Sequence, residues 1–354
     1  MTGAAALIAF AAASLGVGQY LLPRLEVLRR APRLGIALWQ TVSAAAIAAL
    51  LLGMVALTMP GLSAAGAIGE VLRACAIEIQ HQYASTTGAI LTTASGVLLA
   101  AVGGRLAIAL WGQRRRDLQT QRAHLASLDL VTERAADGVV VLDQDAAAAY
   151  CVQGERRAGT SDTVVITRGA MRALTADQIA LVLRHEHAHL SSRHARLVAR
   201  AHALSRAFPY VGFFRVAHQQ IALLAEMHAD DAVAVDDRRS LAEALYELAL
   251  ANRLPKASGA LAATGADVVQ RAQRLVGPHQ PLRRTAVAFL ASAIVLVASA
   301  PATLALVPGG VGDEHSCCLD TTGAKVSASP RWLEHRSHTQ NAHTQRALRA
   351  ISRW

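Results

Sequence analysis

The run His185-Glu186-His187-Ala188-His189 holds the side chains of this sequence best suited to chemistry. On a helix, positions i and i+4 project from one face, so His185 and His189 can offer imidazole nitrogens to a single metal ion. Glu186 stands beside that face, where it can take a proton from a water activated by the cation without becoming a ligand. The same carboxyl can then hand the proton to a leaving amine. Such a set serves zinc-dependent hydrolysis of a peptide bond. His187 lies about 200° around the helix from His185, and His194 about 140° off the face of His189, so neither is expected to be a ligand.

Peptide-cleaving zinc sites use a third protein ligand and keep a fourth position open. Glu226, in Ala225-Glu226-Met227-His228-Ala229-Asp230-Asp231, is the best candidate. Glu226 and Asp230 share a helix face at i and i+4. Glu226 can therefore bind the ion while Asp230 accepts a hydrogen bond from the second nitrogen of a ligand histidine, fixing its tautomer. His228 competes as a ligand but faces away if Glu226 faces in, and Asp231 can take the place of Asp230. Imidazole and carboxylate donors suit Zn2+.

These residues need elements to position them. Thr175-Ala176-Asp177-Gln178 reads as a capping box, flanked by Leu174 and Ile179 as a hydrophobic staple, so a helix starts at Ala176 and carries the histidines. Ser191 and Ser192 are expected to end or bend it before His194. Val139–Leu142, Ala147–Val152 and Thr163–Thr167 read as short strands, the last with an edge to which an extended substrate can add. Helices are expected over Val216–Val233 and Ser240–Asn252, with a loop from Leu254 to Gly265, and Leu118–Leu128 reads as a short helix continuing from the apolar run at about 88–111.

Around this segment the sequence is strongly apolar. Of its 354 residues 53% are hydrophobic and 17% charged, where soluble domains carry about 25% charged residues. The excess sits in four runs, about 3–22, 35–59, 88–111 and 285–307, each near the roughly 20 residues that cross a bilayer core. No Lys or Arg precedes the first run and no small-residue cleavage site follows it, so it is read as a retained span rather than a signal peptide. A net charge of +10 invites a nucleic-acid partner, but the charges are placed otherwise. Arg24, Arg29, Arg30 and Arg33 follow the first run, Arg114, Arg115 and Arg116 the third, and Arg283 and Arg284 precede the fourth. This is the positive-inside alternation, which puts residues 112–284 in the cytosol and both termini outside. Arg105 is expected to snorkel to the same interface. The tail 308–354, with Lys325 and several arginines, runs against that pattern. Direct nucleic-acid binding is not expected; the lipid bilayer is.

The four cysteines are too few for a disulfide scaffold. Cys151 is expected to be a reduced, small apolar residue, while Cys75, Cys317 and Cys318 fall on the outer side, where a disulfide is permitted.

The four apolar runs, the stretch VVITRGAMRALTADQIALVLRHEHAHLSSRH and the later EMHAD together resemble the BlaR/MecR-type integral membrane metallopeptidases, and are similar to the HtpX-type membrane peptidases. The likeness covers about residues 1–310 and is most specific between Tyr150 and Ala234. It implies a mainly α membrane protein with four transmembrane helices and an inserted α+β gluzincin-like zinc peptidase domain at 112–284. It also implies endopeptidase activity at the cytosolic face of the plasma membrane, with His185, His189 and Glu226 as ligands, Glu186 as base and Asp230 behind a ligand. Arg271, in Arg-Ala-Gln-Arg-Leu, resembles a family arginine that supports the site or the oxyanion. Its substrate would be a protein or peptide, such as a cytosolic repressor; the alternatives are a membrane-protein quality-control protease or a non-catalytic zinc-containing scaffold. The likeness stops at the tail 308–354, which holds no Ser-x-x-Lys nucleophile motif.

Overall fold

Long apolar runs become long helices, even the fourth, which holds Pro301 near its end. Among the described residues four helices are long and apolar enough to cross a membrane: α1 (Thr2–Leu21), α3 (Pro32–Thr58), α4 (Thr86–Val131) and α11 (Arg284–Leu306). The structure, a computed structural model, describes residues 2–58, 86–131, 133–134, 138–154, 161–251, 265–278 and 280–306. The expectations for Cys75, Cys317, Cys318, the tail and the 254–264 loop fall outside them. The short α2 (Glu26–Arg30) links α1 to α3.

The helix expected to continue from the third apolar run through Leu118–Leu128 does so: α4 runs unbroken for 46 residues. At 1.5 Å per residue that is about 69 Å, more than twice a hydrocarbon core. Its junction, Gly112 to Asp117, contains no proline, and a single glycine costs a helix only about 1 kcal/mol. The Arg105 guanidinium donates to the carbonyl of Ala207, at the end of a neighbouring helix, where unpaired carbonyls favour a cation.

Beyond α4 lies a four-stranded sheet, β1 (Glu133–Arg134), β2 (Val139–Leu142), β3 (Ala149–Val152) and β4 (Thr163–Thr167), in the order β1-β2-β4-β3. β4 runs parallel to β2 and antiparallel to β3, with Val165 opposite both Val140 and Tyr150. The edge read into Thr163–Thr167 is therefore already paired on both sides. Its near-continuous apolar sequence suits an inner strand buried on both faces, and the open edge next to it belongs to β3.

Helix α5 (Arg168–Ala173) follows β4 directly. The fully buried hydroxyl of Thr167 makes the join: it accepts from Ala170 N at 3.1 Å and Ala148 N at 2.9 Å, and donates to the Ala146 carbonyl at 2.7 Å. Gly169 must be glycine, since a Cβ there would meet the Asp145 carbonyl oxygen at 2.1 Å. Helix α6 (Ala176–Ser191) opens on the capping box, with Gln178 N bonded to Thr175 Oγ1 at 3.3 Å and Thr175 N to Gln178 Oε1 at 3.0 Å. It ends before Arg193, whose φ of 53° turns the chain sharply into α7 (His194–Ala207). Then come α8 (Gly212–Asp230), beginning four residues earlier than Val216, α9 (Arg238–Ala251) and α10 (Gly265–Val276).

The main core lies between α3 and α8. Trp39 and Phe213 are fully buried with ring centroids 5.4 Å apart, and Ile221, Leu224 and Met227 extend the contact along α8. Gly35 allows the approach, since a Cβ would come within 3.0 Å of Leu224 Cδ1 and 2.9 Å of the Leu28 carbonyl oxygen. The helix that carries Glu226 is thus packed on an apolar helix of the N-terminal group. A second core, with Val182, Leu241 and Leu275, joins α6, α9 and α10.

Replacing Thr167 by Val keeps the shape but leaves buried backbone groups unpaired, a loss of about 1–3 kcal/mol. A thermal melt of the purified chain should show a lower midpoint, and an unchanged midpoint would mean that the hydroxyl contributes nothing to the join.

Candidate metal centre

His185 and His189 project from one face of α6, and Glu226 reaches them from α8. The two Nε2 atoms are 3.2 Å apart, with Glu226 Oε2 3.7 Å from His185 Nε2 and Oε1 3.6 Å from His189 Nε2. Zinc–nitrogen bonds of about 2.0–2.1 Å in a tetrahedron place donors about 3.3 Å apart, so this triangle fits such an ion. Among the described residues these three are the group of His, Cys, Asp and Glu able to hold a metal. The Glu226 side chain keeps 38% of its surface exposed while that of His185 keeps 3%, so the triangle is closed behind and open in front.

Asp230 lies one turn beyond Glu226 and is fully buried. Its Oδ1 is 3.2 Å from His185 Nδ1, off the line of a straight hydrogen bond. Two carboxylates one turn apart would repel, and Arg271 on α10 bridges them. Its Nη1 lies 2.8 Å from Glu226 Oε2, while Nη2 and Nε reach Asp230 at 2.8 and 3.0 Å. Burial alone would raise both acids, but the bonds from His185 and the Arg271 charge hold both well below the usual carboxylate range. Burial disfavours the charged His185 ring, yet Asp230 and Glu226 outweigh it and hold that ring above the usual histidine range. With three nitrogens engaged on these carboxylates, Arg271 is placed to support the site rather than to meet an oxyanion. Asp231 is not the stand-in for Asp230: it binds Arg238 at 2.7 Å and Arg274 at 2.7 and 2.8 Å. Arg274 also reaches the Met227 carbonyl at 3.3 Å and the Arg29 carbonyl at 3.2 Å, tying α10 to the end of α8 and to α2.

Behind His189 the structure shows a relation the sequence reading missed. The turn at Arg193 swings His194 back so that its Nδ1 lies 2.9 Å from His189 Nδ1, and its Nε2 lies 2.9 Å from His228 Nδ1. Burial drives His189 down to about 4 and His194 to about 3, so both are neutral rings. The proton pattern that frees His189 Nε2 for a metal has His189 donating from Nδ1 to His194, which donates from Nε2 to His228. A helical-wheel argument could not find this, because His194 belongs to a different helix. His187 is exposed, with Nδ1 2.7 Å from the Leu183 carbonyl, and points away as expected.

Glu186 sits beside the triangle. Burial, aided by the Glu226 charge, pushes its carboxyl up against the opposing pull of His185. Cys151 on β3 is a free cysteine facing it, its thiol raised by burial and by the neighbouring carboxylate. The protonated thiol can donate to Glu186.

Residues 112–254 match the family model of peptidase family M48. The match supports a metallopeptidase domain, typically zinc-dependent, and the apolar helices around it are compatible with a membrane protein. The narrower likeness to the BlaR/MecR-type enzymes goes beyond that match. No curated protein and no solved structure matches the chain.

The purified chain should bind one zinc ion, measured by metal analysis and competition with a chromophoric chelator. Glu226→Gln and His189→Ala should each abolish tight binding. Asp230→Asn and His194→Ala should weaken it about 10–100-fold, the usual cost of losing a partner behind a ligand. Unchanged affinity in the last two would show that neither holds a ligand in place.

Proposed function

We propose that this chain is a membrane-bound zinc endopeptidase in which His185, His189 and Glu226 hold the metal, Glu186 is the general base and Asp230 and Arg271 position the ligands. The observation that carries this reading is the donor triangle with an ionisable carboxyl beside it. When bound, zinc supplies Lewis acidity and brings the pKa of a coordinated water to about 7.

Glu186 takes the proton of the attacking water, and its raised pKa brings it closer to neutrality, where a base is most effective. It then delivers that proton to the leaving amine. Cys151 steadies the carboxylate by donating to it. β3 is an edge strand of the sheet and carries Cys151 beside Glu186, so an extended substrate segment can pair with that strand through its main chain, which selects peptides with little regard to sequence. A structural zinc site needs no base beside it, so the buried Glu186 favours the enzyme over a non-catalytic scaffold.

The placement of arginines supports four spans and a catalytic domain facing the cytosol at the plasma membrane. The substrate is then a cytosolic or membrane-proximal protein. The likeness to BlaR/MecR-type enzymes favours a repressor cut in regulated proteolysis, and the likeness to HtpX-type enzymes favours quality control of membrane proteins.

Glu186→Gln should lower cleavage of an unstructured protein substrate by at least about 100-fold while one zinc per chain remains bound, and chelation should silence the wild type reversibly. Wild-type rates in that variant, with metal in place, would remove Glu186 from the mechanism.

A further inference from the structure

Away from the metal centre, α3, α4 and α7 enclose a cavity of about 1080 Å³. Its three walls change character in the same direction. Along α3 the lining runs from Leu51 and Ile47 to Ser43 and Gln40. Along α4 it runs from Leu106 and Leu110 to Gln113, Arg114, Asp117, Thr120 and Gln121, with Leu118 among them, and along α7 from Leu204 to Arg200 and Arg196, with Arg193 just before the helix. The cavity is therefore apolar at one end and cationic at the other. Four arginines face one aspartate, and Asp117 is already bonded by Gln113 Nε2 at 2.8 Å.

The cationic end is costly as it stands. Arg196 and Arg200 are like charges at i and i+4, an arrangement that destabilises a helix, and Arg193 extends the same face one turn earlier. Arg193, Arg196 and Arg200 are exposed side chains, and no carboxylate ion pair joins them or Arg114 among the described residues. Elsewhere in the chain arginines at helix contacts do find partners, as Arg271 and Arg274 do. A ligand that fills this cavity must bring its own anion for one end and hydrocarbon for the other.

We propose that the cavity binds an anionic membrane phospholipid, with its phosphate among Arg114, Arg193, Arg196 and Arg200 and its acyl chains against Ile47, Leu51, Leu106 and Leu110. The proposal rests on the reading of α3 and α4 as membrane spans, which sets the apolar end at hydrocarbon depth and the arginines at the cytosolic interface, where anionic headgroups lie. A free phosphate shares the headgroup chemistry but leaves the apolar end unfilled. A substrate helix would bring hydrocarbon without the charge.

The test uses full-length protein in a neutral detergent, melted with increasing dioleoylphosphatidylglycerol, dioleoylphosphatidylcholine or inorganic phosphate. Phosphatidylglycerol should raise the midpoint saturably and the other two should not. In the triple variant R193A/R196A/R200A the half-saturating concentration should rise about 100-fold, near fivefold for each arginine lost at a membrane surface. R196K/R200K, which keeps the charge, should retain most of the effect. Equal shifts with phosphatidylcholine, a full shift with inorganic phosphate, an undiminished response in the triple variant, or a polypeptide in place of lipid in native mass spectra would each overturn the proposal. Alkaline extraction of cell membranes separates the two readings. A chain that stays in the membrane but shows no lipid preference loses only the lipid site, whereas a chain released to the supernatant loses the spans as well.

Discussion

Two carboxylates one turn apart beside two imidazoles, Asp230 fully buried and Glu226 partly, are held charged by one guanidinium that binds both. Arg271 engages Glu226 and Asp230 with three nitrogens, and everything else about the centre follows from that clamp. Unpaired, the acids would take up protons rather than stay charged, since an isolated buried carboxylate is far more costly than its neutral form. With Arg271 in place they remain anionic, so Glu226 is available as a donor and Asp230 as the acceptor behind His185. An ion pair of this kind is weak evidence for stability; what it does here is hold the two carboxylates in fixed positions one turn apart on α8.

The clamp in turn requires that α8 stay where it is. Trp39 and Phe213 pack α8 on α3, and Arg274 ties the same end of α8 to α10 and to α2. The metal-site helix thus shares its core with the apolar helices instead of forming a separate globule. A change in how those helices pack would move Glu226 relative to α6, because a close-packed core passes displacement on rather than absorbing it. On the other side, the left-handed turn at Arg193 fixes the angle between α6 and α7, and with it the His194 ring that orients His189.

Much of this was legible from local pattern. The capping box at Thr175 to Gln178 marks the start of α6 to the residue, and helical spacing puts His185 on one face with His189 and Glu226 on one face with Asp230; that the two pairs meet is a tertiary fact no local pattern encodes. What escaped was set by contacts between distant segments. The paired β4 depends on strand order, which the apolar alternation of five residues does not encode. His194 was set aside because its angle was measured on an imagined continuation of α6, and the turn at Arg193 invalidates that wheel. Arg271 was reached only by resemblance, since nothing near it in sequence announces that its partners lie on α8.

In the proposed site a metal ion meets two imidazoles and one carboxylate, with the histidine row behind His189 supporting but not ligating. X-ray absorption at the zinc edge of the loaded, full-length protein measures this directly. The expected first shell is nitrogen and oxygen at about 2.0–2.1 Å, with outer-shell scattering from two imidazole rings and none from sulfur. Scattering from three or four rings, which would draw His194 and His228 into the shell, or a sulfur contribution from Cys151, would contradict it.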